Sequence, residues 1–328
     1  MRTKLIIAFC VVAAISAFTG PAINDKRLGI DLSAMDKTVN PGSDFYSYAN
    51  GEWVRKNPVP AEEARWGSFE ELRLLNQKKL KGIFEEAADN KSAAQGSADQ
   101  KMRDFYLTGM DTITIEKQGI SPVKPLLDKI HAAKSKEDIV NAAAYLQQRG
   151  IGACFTFFVH RDLKKSTDYI CYVGQGGLQL PDRDYYLKDD DKNKKIREEY
   201  MKHMVKMFTL AGDKYQDQKA SAVMKIETAF AKACKPRVEL RDQGKNYHKM
   251  TLTEFQEKTP AINWSTCFAT FGVKNVNELI VRQPEFLITF NEMLNEVTID
   301  EWKTYLTWHA LSSAATFISS EKYNSKLH

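Results

Sequence analysis

Apolar residues recur at three- and four-residue spacing along most of this chain, and that period predicts amphipathic helices. It runs from Ser68 to about Ala88, through DQKMRDFYLTGM, from Ser135 to Gly150, through about 192–211, and again through 215–234 after a break at Gly212. Between the first two helices, Ala93 to Gln100 reads as a small, polar linker. Four helix starts carry the capping-box pattern, in which a hydroxyl and an acid three residues on satisfy each other's backbone N–H groups. They are Ser68-Phe-Glu-Glu71, Ser135-Lys-Glu-Asp138, Thr251-Leu-Thr-Glu254 and Thr298-Ile-Asp-Glu301. The last opens a helix over about 299–319, where Trp302, Tyr305, Leu306, His309 and Ser313 form one stripe.

A single region has the other period. CFTFFVH and DYICYVG are β-branched and aromatic runs joined by the polar DLKKST, a hairpin by pattern. A register that sets Val159 opposite Tyr169 brings Cys154 across from Gly174. GGLQLPDRDYYLKDDD follows: two glycines end the strand, Leu-Pro sets a turn, and two Asp flank an Arg before a Tyr pair. No fixed-period repeat argues for a solenoid. The expected fold is mainly α, a multi-helix domain with one β-hairpin insert.

The 328 residues are enough for one large domain or two smaller ones. The net charge of +5 is spread among acids, as in KSKED and KNKKIREE, so it describes solvated helix faces and excludes a nucleic-acid stripe. The first twenty residues differ. MRTK is followed by the apolar LIIAFCVVAAISAF, then small residues, which predicts a signal peptide over 1–20 cleaved between about Ser16 and Pro21. No second stretch is long enough to span a bilayer, so the expected location is periplasmic or extracellular. Cys10 sits too early in the apolar stretch for a lipid acceptor. Cys154, Cys171, Cys234 and Cys267 have no CxxC spacing and are expected as buried thiols.

Candidate chemistry is sparse. Asp182 and Asp184 could act as an acid–base pair or, facing one another across a sugar, as a glycosidase pair. Two residues apart after a strand, they suit turn capping and ion pairing better, with Tyr185 and Tyr186 packing. The six histidines contain no HExxH, and no GxSxG, phosphate-cradling loop or EF-hand loop is present, so the residues alone show no catalytic centre. From Asn40 to Leu72 an aromatic entry and a Pro-bracketed loop lead into a helix. Arg65 precedes that helix; Phe69 and Arg73 share one face of it. Two guanidiniums and an aromatic near a helix N-terminus suit a peptide carboxylate with an apolar side chain. Two ordinary surface ion pairs would account for the arginines equally well.

NPGSDFYSYANGEW, RWGSFEEL, DFYLTGMD, GLQLPDRDYYL, IETAFA, RDQGKNYHKMTLTEF and WKTYLTWHAL follow one another in this order. Together they resemble the N-terminal half of the neprilysin and endothelin-converting-enzyme family of zinc metallopeptidases, over about residue 29 to 328. The resemblance implies a largely helical region that encloses an active site, with Arg65 and Arg73 binding substrate and Phe69 in an apolar subsite. It implies zinc as cofactor of the full-length enzyme, polarising the scissile carbonyl while a Glu activates water. The family's HExxH helix, its downstream Glu ligand and its Asn-Ala-aromatic strand have no counterpart here. The expectation is therefore a truncated chain that binds no metal and is inactive alone. Its partners are then oligopeptide substrates and a catalytic half in the same or an adjacent polypeptide, which would cover the stripe of the final helix. Gly42 and Ala49 stand where animal members carry cysteines, which fits a bacterial type without family disulfides. The expected function is the substrate-enclosing portion of a secreted metalloendopeptidase acting on oligopeptides. The competing reading is a catalytically dead secreted module that binds peptides or another protein.

Overall fold

The computed structural model describes residues 31–318 except 62 and 64. The leader expected over 1–20, with Cys10, lies outside the described residues. The chain divides into two compact units, Met1–Tyr106 and Leu107–His328.

The first unit is built from helices α1 (Phe45–Lys56), α2 (Ser68–Asp89) and most of α3 (Ala98–Met110). Asp44 caps α1, its carboxylate accepting from Ser47 N at 3.0 Å. The capping box expected at Ser68 does not form. Gly67 takes the cap position with extended backbone and no side-chain hydrogen bond, and Ser68 is already helical. Phe84 of α2 stacks on Tyr106 of α3, ring centroids 5.8 Å apart. Ala87 is the one buried hydrophobic residue among the described residues of this unit.

The second unit holds the core. Its helices are α4 (Thr112–Gln118), α5 (Lys124–His131), α6 (Lys136–Gln147), α7 (Asp184–Leu187), α8 (Asp191–Leu210), α9 (Gln216–Ala233), α10 (Leu252–Lys258), α11 (Trp264–Thr270), α12 (Pro284–Glu296) and α13 (Ile299–Ala314). The boxes at Ser135, Thr251 and Thr298 form as expected, each with both reciprocal hydrogen bonds. Phe230 of α9 has its ring centroid within 6.0 Å of those of Phe286, Phe290, Trp302 and Tyr305. Fully burying such a side chain contributes roughly 1.5–3 kcal/mol relative to exposure. That aromatic cluster is therefore what holds α9, α12 and α13 together.

The hairpin is present as β1 (Phe155–Asp162) and β2 (Lys165–Gln175), but it belongs to a larger sheet. Two short strands, β3 (His248–Thr251) and β4 (Glu278–Val281), extend it in the order β1-β2-β4-β3. β4 runs parallel to β2, pairing Cys171 with Leu279, and antiparallel to β3. The hairpin register also differs from expectation: Val159 faces Cys171, and Arg161 faces Tyr169. The turn Asp162–Lys165 is tighter than DLKKST suggests, with Asp162 accepting from Lys164 N at 2.9 Å and a register shift after Arg161. The four cysteines are free and buried. Burial pushes the Cys234 and Cys267 thiols up to about 12.

The stripe of the last helix is not left for a partner. Trp302, Tyr305, Leu306 and His309 are all buried within the second unit, Trp302 against Phe230 of α9 and Phe290 of α12, and of the stripe Ser313 alone is exposed. Among the described residues no helix is long and apolar enough to cross a membrane.

Candidate functional site

The PDRDYY turn is a fastening. Asp182 folds its carboxylate back onto Asp184 N at 2.9 Å, an Asx turn that starts α7. Asp184 pairs with Lys188 at 2.8 Å, one helical turn on. Both carboxylates are thus engaged locally, and neither forms an acid–base pair with the other. Arg183 donates through Nη1 to the Cys234 carbonyl at 2.7 Å, tying the turn to the end of α9. Tyr186 points inward. Its hydroxyl accepts from Gln179 N and Leu180 N, at 3.2 and 2.9 Å, and donates to Glu227 at 2.8 Å.

Glu227, on α9, is fully buried. Its carboxylate also accepts from Tyr200 of α8 at 2.9 Å, and Tyr200 in turn accepts from Trp308 Nε1 at 2.8 Å. His309 brings Nε2 to 3.6 Å from Glu227 and Nδ1 to 2.8 Å from the Gly152 carbonyl. Burial, and then the neighbouring Glu227 charge, push the Tyr186 and Tyr200 hydroxyls well above the ordinary phenol value, so both stay protonated donors. A buried carboxylate is tolerable only with such partners. The network joins the PDRDYY turn, α8, α9 and α13. The sequence points to Tyr186 and His309 but to neither Glu227 nor Tyr200. The available signal was an acid set among Ile226, Ala229 and Phe230, a position whose apolar neighbours mark it as inward.

The other candidate site lies in the first unit. Arg65 precedes α2 and donates from Nε to Glu70 at 2.7 Å, its side chain otherwise 85% exposed. Arg73, in the second turn of the helix, pairs with Glu63 and lies 3.5 Å from the Gln77 amide oxygen. Phe69, between them in sequence, is 84% exposed. Each guanidinium therefore spends part of its five-donor fork on an acid beside it, and keeps the rest for another acceptor. Because no side chain caps α2, its first N–H groups share that surface.

Among the described residues no three of His, Cys, Asp and Glu come together as metal ligands. Glu227 accepts from two tyrosines, and His309 holds Nδ1 on the Gly152 carbonyl. The His309 Nε2 has no hydrogen-bond partner among the described residues, and no further acid, histidine or cysteine joins them. These residues do not fit a zinc site.

Known proteins resemble this chain along nearly its whole length. The chain is 32% identical to an endothelin-converting enzyme homolog of Locusta migratoria, over 88% of its own length and 42% of that protein. It is 30% identical to endothelin-converting enzyme 1 of Bos taurus, over 88% of its length and 39% of that enzyme. The chain thus spans about two fifths of the curated relatives it matches. Its fold superimposes on the Mycobacterium tuberculosis zinc metalloprotease Zmp1 with a TM-score of 0.84 and 27% identity, covering 90% of this chain and 45% of that one. PepO of Lactobacillus rhamnosis shares the fold, with a TM-score of 0.70 at 16% identity. The sequence profile of peptidase family M13 matches residues 41–327 in its N-terminal part, and the chain belongs to that family.

Proposed function

We propose that this chain is the N-terminal, substrate-enclosing portion of an exported zinc metalloendopeptidase that acts on oligopeptides. The observation that carries the reading is the family match over residues 41–327 joined to the Zmp1 likeness, which covers 45% of a zinc metalloprotease. A zinc-bearing half, in the same or an adjacent polypeptide, supplies the metal and the hydrolytic step. The exposed apolar residues of α2, among them Leu72, Leu75, Leu80 and Ile83, support a covering partner on the first unit. Export rests on the charged and apolar pattern of residues 1–20.

Within that enzyme, Arg65 and Arg73 bind the carboxyl end of the peptide and Phe69 lines the adjacent apolar subsite. Their fit is chemical: two guanidiniums with donors to spare, an exposed ring, and an uncapped helix start favour an anion with an apolar neighbour. The residues of this chain hold and orient substrate; the metal chemistry lies elsewhere.

The test joins this chain to the zinc-bearing half of an M13 relative and compares Arg65→Ala and Arg73→Ala on a peptide acid and its amide. A charge-assisted contact is worth roughly 1.5–3 kcal/mol, so kcat/KM on the acid should fall about ten- to hundredfold. The amide should be nearly unaffected. Equal losses on both substrates would make these arginines structural.

A further inference from the structure

Beside the PDRDYY turn, the second unit has a cleft of about 320 Å³, in the lower range of small-ligand sites and large enough for one or two peptide residues. Phe155, Leu180 and Leu240 supply apolar wall, and Arg183, Lys235 and Arg237 line it with charge. The three cations come from two segments that are fixed in place. Gln175, at the end of β2, clamps Lys235 from both sides: Oε1 accepts from its N–H at 2.9 Å, and Nε2 donates to its carbonyl at 3.3 Å. Arg183 is anchored through a single N–H to the Cys234 carbonyl. The rest of its fork is left for a ligand.

Little on the protein neutralises this charge. Lys235 comes no nearer than 4.0 Å to Glu285, which is itself exposed. Arg237 makes no ion pair or side-chain hydrogen bond with any described residue. The one acid in the lining, Asp182, keeps its charge while one oxygen accepts from Asp184 N, so three cations face a single carboxylate. The floor is closely packed: a Cβ on Gly176 would lie 2.8 Å from the Phe155 carbonyl carbon, and one on Gly177 would lie 2.5 Å from Tyr305 Oη. A closely packed apolar cleft lined by three cations against one acid favours an anion with an apolar body.

We infer that this cleft binds the carboxylate of a short peptide, gripped by Arg183 and Arg237 with Lys235 adding charge, while an apolar residue rests on Phe155, Leu180 and Leu240. The carboxylate is either the peptide's C-terminus or an Asp or Glu side chain. The site lies wholly in the second unit and does not depend on the roles given to Arg65 and Arg73.

The full chain is titrated by calorimetry with N-acetyl-Ala-Leu acid, the corresponding amide, and N-acetyl-Asp-Leu amide. The acid should bind at least tenfold more tightly than the plain amide. If the Asp-containing amide matches the acid, side-chain carboxylates are the source; if it matches the plain amide, the C-terminus is. Arg237→Glu, at an exposed position where the fold is indifferent, should weaken the acid tenfold or more without shifting the unfolding midpoint. Arg183→Gln should do the same to binding, and both losses should persist when the titrations are repeated in the Arg65→Ala/Arg73→Ala background, which removes the other candidate carboxylate site. Equal binding of acid and amide, no binding at millimolar peptide, or full affinity in Arg237→Glu overturns the inference. Binding lost only in the Arg65/Arg73 variant overturns it too, while sustaining the role proposed for those two arginines.

Discussion

The two units of this chain use hydrophobic residues in opposite ways. In the second unit, Trp264, Trp302, Trp308, Phe230 and Phe290 are buried in one cluster, and even its carboxylate Glu227 is enclosed with two tyrosines. In the first, α2 is a long helix that leaves Leu72, Leu75, Leu80 and Ile83 exposed along with Phe69. The second unit has a contiguous core, three formed capping boxes and a buried polar network centred on Glu227. The first has helices that are well formed locally and thinly packed. A helix in a protein draws most of its stability from the face it buries, so α2 is the element whose stability depends most on further contacts. The difference also separates two kinds of site: a carboxylate cleft on a closely packed frame in one unit, and arginines on an exposed helix start in the other.

The sharpest break of this comparison is at Glu227. Glu227→Ala removes the shared acceptor of Tyr186 and Tyr200 and leaves a cavity at the junction of α8, α9 and the PDRDYY turn. The second unit should lose about 3–5 kcal/mol, read as a lower urea midpoint. Glu227→Gln keeps one acceptor and should recover part of that. A loss below about 1 kcal/mol, as for an ordinary surface change, would mean that the network fastens nothing.

Gly177 comes next. Its φ of +80° lies in the left-handed region, and a Cβ there would meet the Tyr305 hydroxyl that donates to its own carbonyl at 2.8 Å. Gly177→Ala should cost about 1–3 kcal/mol from backbone strain alone. An unchanged midpoint would show that the turn yields, and with it the floor of the cleft.

A matched pair of cap variants sharpens the contrast at smaller scale. Thr298→Ala breaks a formed box, in which the Thr298 hydroxyl accepts from Glu301 N at 3.2 Å, and should cost about 1 kcal/mol. Ser68→Ala removes a hydroxyl that caps nothing, so its effect should stay within about 0.5 kcal/mol. Equal losses in thermal unfolding would restore the box that the sequence suggests at Ser68.

The smallest thermodynamic effect should come from α2's apolar side chains. Replacing Leu72 and Leu75 by Gln should change stability by less than about 0.5 kcal/mol each, since both are exposed. Self-association of the chain should nonetheless fall, measured by sedimentation at rising concentration. A large loss of stability with no change in association would mean that these leucines already have a partner within the chain.

The longer helices were legible because capping chemistry and a 3.6-residue period are local, whereas α1, α4, α5, α7, α11 and α12 were not read from the sequence. Ser135, Thr251 and Thr298 each need only an acid three residues on, and all three boxes form. Ser68 has the same pattern and fails, because Gly67 takes the cap position and the helix begins one residue earlier than the box requires. The strands β3 and β4 are four residues each, too short for a period to register. Their place in the sheet depends on partners far along the chain. The hairpin register was misread because a bulge after Arg161 and an Asp162 turn, rather than the loop composition, set it. The candidate arginines were named from local position and family resemblance, whereas the cleft joins Arg183 to Arg237 through a hydrogen bond between segments about fifty residues apart.

By itself, the sequence determined the mainly helical character, the placement of about half of the helices, and the order of motifs that places the chain in peptidase family M13. These are properties of neighbouring residues, fixed by backbone hydrogen bonding and side-chain period. Only the tertiary structure decided which apolar faces are covered. The stripe of α13 looked available and is buried, while that of α2 looked ordinary and is bare. Amphipathicity says that a face must be buried somewhere, but what buries it depends on which elements meet in space. The same holds for Glu227: an acid in a helix reads as solvated until the tyrosines of two other segments close over it.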